Sequence, residues 1–329
     1  MNRYLKNIYR FFAAFVCICG MFCFTSVQET AGAPSQESLH IVTTIFPIYD
    51  WVRALLGERL QEVQLVNLLD TGVDLHSFQP TAADLMKMAD ADLFIYIGGE
   101  SDAWVEDALR TTAGSDRVVV RLMDSIGERA ALEELLPGMQ ASAEEAGESE
   151  EEAYYEHIWL SLKNAQYCVS AIGQALQDLD SDHAQDYTEM MEVYLQQLQD
   201  LDAAYANTVA GAARDTLLFA DRFPFRYMMD DYGLTCYAAF EGCSAETEAS
   251  FETVAFLAQT LKEKELPCVL TLEGSDEKLP STIISASGLT DVSVLSMNSM
   301  QTLRSADAQE HTYLSVMESN LEVLGEALG

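Results

Sequence analysis

The sequence predicts an α/β protein built as two α/β lobes, each with a mostly parallel sheet flanked by helices, joined by one long linker helix. Two observations carry this. Short apolar, strand-like runs alternate with amphipathic helical stretches in two separate series, and such alternation builds a parallel sheet with helices on its faces. Between the series, Asp182 to Ala210 contains no Gly or Pro to stop a helix before Gly211. Within it Tyr187, Met191, Tyr194, Leu198, Leu201 and Tyr205 recur at alternating steps of four and three, which puts them on one helical face. A helix of ~28 residues is roughly 40 Å long, a length suited to a strut between lobes.

The first series opens with a strand at His40–Phe46 and a helix with Pro47 at its first position, ending near Gly57. A strand at Val63–Leu68, a helix at Thr81–Ala89, a strand at Asp92–Ile97, a helix near Ala103–Thr111 and a strand at Arg117–Leu122 follow. Between Glu133 and Glu156 the pattern dissolves into an acidic loop whose centre, residues 144–152, is of low complexity. A helix resumes at Ile158 and runs to about Leu179. After the linker, strands are expected at Thr216–Ala220, Thr235–Phe240, Cys268–Leu272 and Val292–Met297. Helices are expected at Pro224–Tyr232, Phe251–Lys264, Lys278–Ala286 and Ala306–Ala327. The predicted division is a segment 1–33, a first lobe 38–180, a linker helix 181–211 and a second lobe 212–329.

The segment 1–33 reads as a secretory signal. Arg3, Lys6 and Arg10 precede an apolar run from Phe11 to Phe24, and the small residues Ala31, Gly32 and Ala33 follow. The run is shorter than the ~20 residues of a membrane span. Export is therefore expected, to the outer face of the cytoplasmic membrane or the periplasm. Cys17, Cys19 and Cys23 lie inside this segment, but none follows the Leu-Ala-Gly type residues of a lipid-anchor site, so anchoring stays open. Cys168, Cys236, Cys243 and Cys268 lack the paired spacing of a zinc cluster and read as buried thiols. A disulfide from Cys243 to Cys236 or Cys268 is the lesser alternative in an exported chain. The net charge of −35 over 329 residues excludes nucleic acid as a partner, because phosphate binding needs a basic surface.

Four polar residues fall just past expected strand ends: His76, Asp221, Glu273 and Asn298. His157 adds a fifth from a loop before a helix. In open α/β sheets ligands bind beyond the carboxyl ends of the strands, and imidazole with carboxylate is a donor set for divalent transition metals. The plain alternative is capping and surface hydrogen bonding, the reading given to His40, His183 and His311.

Three stretches, Ile41 to Asp50, Gly72 to Thr81 around Asp74-Leu75-His76, and Ala91 to Gly98, resemble the metal-binding lipoprotein family of ABC importers for zinc and manganese. Glu156 to Ala165 is similar to that family's second histidine motif, and Tyr313 to Glu322 to its last helix. The likeness covers nearly all of the chain after the signal. It implies two lobes linked by one helix, and His76 and His157 as metal ligands. The sequence also departs from the family. Its third ligand position falls on Arg222, a permanent cation without a lone pair to donate, and its fourth falls on Asn298. Asp221 and Glu273 are the neighbouring carboxylates expected to serve instead. The acidic loop, which carries histidines in many zinc members, has none between residues 144 and 152.

The resemblance implies an extracytoplasmic, monomeric solute-binding protein that captures a divalent metal, Zn²⁺ ahead of Mn²⁺, between its lobes. It would deliver the ion to a membrane ABC permease with a cytoplasmic ATPase. Zinc is preferred because nitrogen donors favour it. Two rivals come from other classes. A metal-dependent hydrolase would need an open coordination position for water, but the sequence has no HExxH and no G-x-S-x-G. A cell-adhesion or other interaction protein would use the acidic face for a partner and keep the histidines structural.

Overall fold

Parallel strands need apolar cover on both faces, and the inner strands supply it. Ile41, Val42 and Thr43 of the first strand and Leu93, Phe94 and Ile95 of the third are almost wholly buried. The computed structural model describes residues 38–112, 116–140, 154–242 and 248–329. The expected signal at 1–33, the acidic run at 144–152 and Cys243 lie outside these residues.

The first series gives β1 (His40–Thr43), α1 (Phe46–Leu56), β2 (Gln64–Asn67), α2 (Ala82–Ala89), β3 (Leu93–Tyr96), α3 (Trp104–Thr111), β4 (Val118–Arg121) and a short α4 (Leu122–Ile126). The strands pair in parallel in the order β2-β1-β3-β4. Two helices follow, α5 (Leu162–Leu179) and α6 (Ala184–Gly211). The second series gives β5 (Thr216–Phe223), α7 (Arg226–Tyr232), β6 (Thr235–Glu241), α8 (Phe251–Glu263), β7 (Cys268–Leu272), α9 (Lys278–Ser287), β8 (Ser293–Met297) and α10 (Tyr313–Leu328). Its strands are parallel in the order β6-β5-β7-β8, the same topology as the first sheet. In each sheet the strand order reverses beside the first strand, which opens a crevice at the carboxyl ends of the strands.

Differences from the expected boundaries have local causes. Helix α5 starts at Leu162 because Ser161 caps it, its hydroxyl accepting from the Asn164 N–H, while Ile158–Leu160 form a 3₁₀ turn. Helix α10 starts at Tyr313, not Ala306, because Thr312 and Ser315 form a reciprocal capping box there. Strand β5 runs on through Asp221 and Arg222 to Phe223, with a bulge-like register shift between Phe219 and Arg222. Asp221 is therefore inside a strand, not beyond its end.

Helix α6 buries Tyr187, Tyr194, Leu198, Leu201 and Tyr205 along one face. That face packs on α5 and α1 of the first lobe and on α10 of the second. Its phenols also tie both sides: Tyr187 donates to Asp180 at 2.8 Å and Tyr205 to the Met317 carbonyl at 2.6 Å. One large core runs from the first sheet past these helices to the inner face of the second sheet, including Leu217 and Phe219. The alternate residues of β5, Leu218 and Ala220, face a smaller core under α8 and α9. Among the described residues no helix is long and apolar enough to cross a membrane.

Candidate metal centre

The loop after β2 turns through Gly72 in the left-handed region (φ +72°) and then enters a single 3₁₀ turn, Leu75–Ser77. Asp74 caps that turn by accepting the His76 N–H at 3.1 Å. His76 is thereby aimed from the carboxyl edge of the first sheet. Glu156 and His157 arrive from the segment before the Ile158–Leu160 turn, and both are essentially inaccessible, at 2% and 0% exposure. One donor atom from each of His76, Glu156 and His157 lies within 4.8 Å of the others. The two imidazole rings have centroids 5.4 Å apart.

The hydrogen bonds assign the His76 tautomer. Ser101 Oγ lies 2.5 Å from Glu156 Oε1 and 2.7 Å from His76 Nδ1. A hydroxyl facing an ionised carboxylate at that distance must donate to it, so it accepts from His76 Nδ1–H. Glu156 Oε1 also stands 3.2 Å from His76 Nδ1, and Oε2 accepts the Ser101 N–H at 2.8 Å. The Nε2 lone pair of His76 is left facing inward, buried and without a hydrogen-bond partner. Both ring nitrogens of His157 are likewise buried and unpartnered. Three buried imidazole nitrogens without partners are costly, at about 1–3 kcal/mol each, and such groups are rare unless an ion or water completes them.

Electrostatics set the protonation states that a cation requires. Burial would raise the Glu156 carboxyl, but the His76 hydrogen bond, the two imidazoles and the Ser101 hydroxyl together hold it down to about 2. Burial pushes His157 down to about 3, with Glu156 opposing and His76 and Arg222 reinforcing. At neutral pH the site thus holds a carboxylate and a neutral His157. Two glycines permit the approach. A side chain on Gly99 would collide with the Glu156 Cβ and carboxylate, and one on Gly242 would come within 3.1 Å of His157 Cε1 and 3.0 Å of the Phe223 carbonyl.

The remaining expected residues have other partners. Asp221 accepts the N–H of Leu272 at 3.0 Å and of Arg222 at 2.8 Å, and also the Ser275 hydroxyl, so it stitches β5 to the end of β7. Glu273 accepts the Ser299 N–H at 2.8 Å and its hydroxyl at 2.7 Å, and burial raises its pKa. Neither belongs to the cluster of three donors. Asn298 accepts the Met300 N–H at 2.8 Å, and Asn320 bonds its backbone at both ends. Arg222 pairs with Asp74 at 2.9 Å. Glu156, which stands in the sequence only as the first residue of the second histidine motif, joins His76 and His157. Its adjacency to His157 was the available signal, but an acidic residue beside a histidine is too common to single out.

Comparison with known proteins identifies the family. The zinc-binding lipoprotein AdcA of Streptococcus pneumoniae is 29% identical over 295 residues, covering 88% of this chain and 56% of AdcA, so the chain spans little more than half of that relative. The high-affinity zinc uptake system protein ZnuA of Bacillus subtilis is 27% identical over 311 residues, covering 93% of this chain and 92% of that one. The crystal structure of the Zn(II)-bound ZnuA-like domain of Streptococcus pneumoniae AdcA superposes with a TM-score of 0.68 at 26% identity, covering 88% of this chain and 99% of that domain. The model of the family described as zinc-uptake complex component A periplasmic, ZnuA, matches residues 41–327. The chain belongs to the ZnuA family of zinc-uptake component A proteins.

Proposed function

We propose that this chain is an extracytoplasmic solute-binding protein that captures Zn²⁺ at His76 and His157 and hands it to a membrane ABC permease driven by a cytoplasmic ATPase. No bond is made or broken in this reading, and the protein is not an enzyme. The observation that carries it is the set of buried, unpartnered imidazole nitrogens on His76 and His157. Zinc binds imidazole nitrogen at about 2.0–2.1 Å, and the donors need only close on the ion. Glu156 supplies the compensating charge and holds His76 from behind, the carboxylate–histidine arrangement that fixes a ligand's tautomer and orientation. Asp221 and Glu273 keep structural roles in this reading, because backbone and hydroxyl donors already occupy their oxygens. Manganese is the weaker cargo, since nitrogen donors rank it below zinc. The relatives named for zinc binding and zinc uptake support zinc as the cargo.

Thermal and chemical unfolding of the purified chain with Zn²⁺ or Mn²⁺ tests the proposal. An ion at 100 times its dissociation constant adds about 2.7 kcal/mol. His76→Ala and His157→Ala should each remove most of that gain and leave the metal-free fold close to wild type. Undiminished metal stabilisation in both variants would refute the site.

A further inference from the structure

The loop that carries His76 is held from the second lobe at two points. Asp70 accepts the Ser305 N–H at 2.5 Å and its hydroxyl at 2.8 Å. Four residues on, Asp74 Oδ2 accepts from Arg222 Nη2 of β5 at 2.9 Å. The other carboxylate oxygen of Asp74 receives the His76 N–H and caps its turn. A single carboxylate thus joins a cation of one lobe to the backbone of the proposed metal-binding histidine of the other. The aim of Arg222 is itself constrained: the pairing of β5 with β6 shifts register immediately before it, and such a break in register re-aims the side chains that follow.

We propose that Arg222 is a positioning residue for the metal site, gripping Asp74 across the cleft so that the capped turn presents His76 Nε2, while donating nothing to the ion. The proposal rests on the metal-binding reading above. A guanidinium has five N–H donors and no lone pair to offer, so Arg222 acts on the cargo only through Asp74 and its own charge. The pair is only a quarter exposed on each side, 25% and 23%, so it is screened less than a surface pair and adds some global stability of its own. Its effect on the site is read in affinity, since outer partners of metal ligands typically change metal affinity 10–100-fold when removed. The second lobe then governs how tightly the ion is held without contributing a ligand from Arg222. Any motion that parts Arg222 from Asp74 loosens His76.

The test measures Zn²⁺ affinity of the full chain by competition with a chelating indicator, and the Co²⁺ absorption spectrum, for Arg222→Gln, Asp74→Asn, the double variant, Arg222→Lys and His76→Ala. Arg222→Gln and Asp74→Asn should each weaken Zn²⁺ binding roughly 10-fold or more. The double variant should be no weaker than the weaker single, because both break one link, and Arg222→Lys should recover part of the loss. The Co²⁺ bands should shift in the single variants, and the loss of Zn²⁺ affinity should exceed what any fall in the metal-free melting midpoint accounts for. A purely structural role would move the midpoint and spare the bands. Wild-type or tighter affinity in Arg222→Gln, or losses that add in the double variant, overturns the proposal. Should Arg222→Gln fail to fold, Asp74→Asn carries the same comparison. If His76→Ala abolishes binding while Arg222→Gln does not weaken it, only the positioning role falls; if His76→Ala binds normally, the metal site falls with it.

Discussion

The buried imidazole of His157 should make the metal-free protein sensitive to mild acid in a way that one substitution removes. Burial depresses its folded pKa from 6.5 to about 3, whereas the unfolded chain titrates near the ordinary value. Between those values the unfolded state holds one more proton than the folded state, so stability falls as the pH falls from 6.5 towards 3. At 1.36 kcal/mol for each pH unit below the unfolded value, His157 alone removes about 3 kcal/mol by pH 4. Glu156 works in the same direction but lower. Its pKa is held down to about 2 from 4.5, so its contribution is complete above 4.5 and is lost as the pH drops through 2. The assay is denaturant unfolding with a chelator present, at pH 7 and pH 4, on wild type and His157→Leu. Leucine fills a similar volume, does not titrate and removes two unpartnered nitrogens, so the variant should be no less stable at pH 7. Its loss of stability between the two pH values should be smaller than wild type's by about 3 kcal/mol. Equal losses in the two proteins would show that the ring is not held neutral in the fold, and the electrostatic account of the site would be wrong.

Two further substitutions separate site from scaffold. Asp221→Ala should destabilise the metal-free fold by about 1–3 kcal/mol, since it strips the acceptor from the buried N–H of Leu272 and unlaces β5 from β7. The zinc-induced rise in melting temperature should persist; its disappearance would return Asp221 to the ligand set. Gly99→Ala drives a methyl group into the Cβ of buried Glu156 and should both lower stability and weaken Zn²⁺ binding, the affinity being read by the same indicator competition on folded protein. Unchanged affinity there would mean that Glu156 does not matter to the ion.

Much of the architecture was legible because its determinants are local and periodic. Tyr187, Tyr194, Leu198, Leu201 and Tyr205 of α6 recur at helical spacing and are buried, while Met191 of the same series is only partly covered, so pattern gave the helix and most of its packing face. The strands of both sheets are apolar runs set between turn residues, which placed them to within a few positions. Where the ends shifted, a short-range cap decided: the hydroxyls of Ser161 and Thr312 start α5 and α10. The capping signal stands in the sequence, but serine and threonine are frequent enough that a continuous helical pattern outweighs it.

The centre was only partly legible, for a different reason. His76 and His157 could be proposed from scarce residue types in recognisable surroundings. Asp221 and Glu273 were expected beside them on the strength of strand ends, yet a carboxylate at a strand end serves a neighbouring backbone N–H as readily as an ion. Which one it serves depends on atoms remote in sequence, such as Leu272 for Asp221 and Ser299 for Glu273.

By itself, then, the sequence determined the alternation that makes two parallel sheets, the uninterrupted amphipathic helix between them, and two histidines in family-like settings. Tertiary structure alone decided that Glu156 backs His76 through Ser101, that the register of β5 shifts before Arg222, and that Arg222 reaches Asp74 across 148 positions of chain. Periodicity records which face of an element is buried. It carries no record of which polar atoms meet when two such faces close, because those meetings are fixed by sub-ångström packing between segments that share no local pattern.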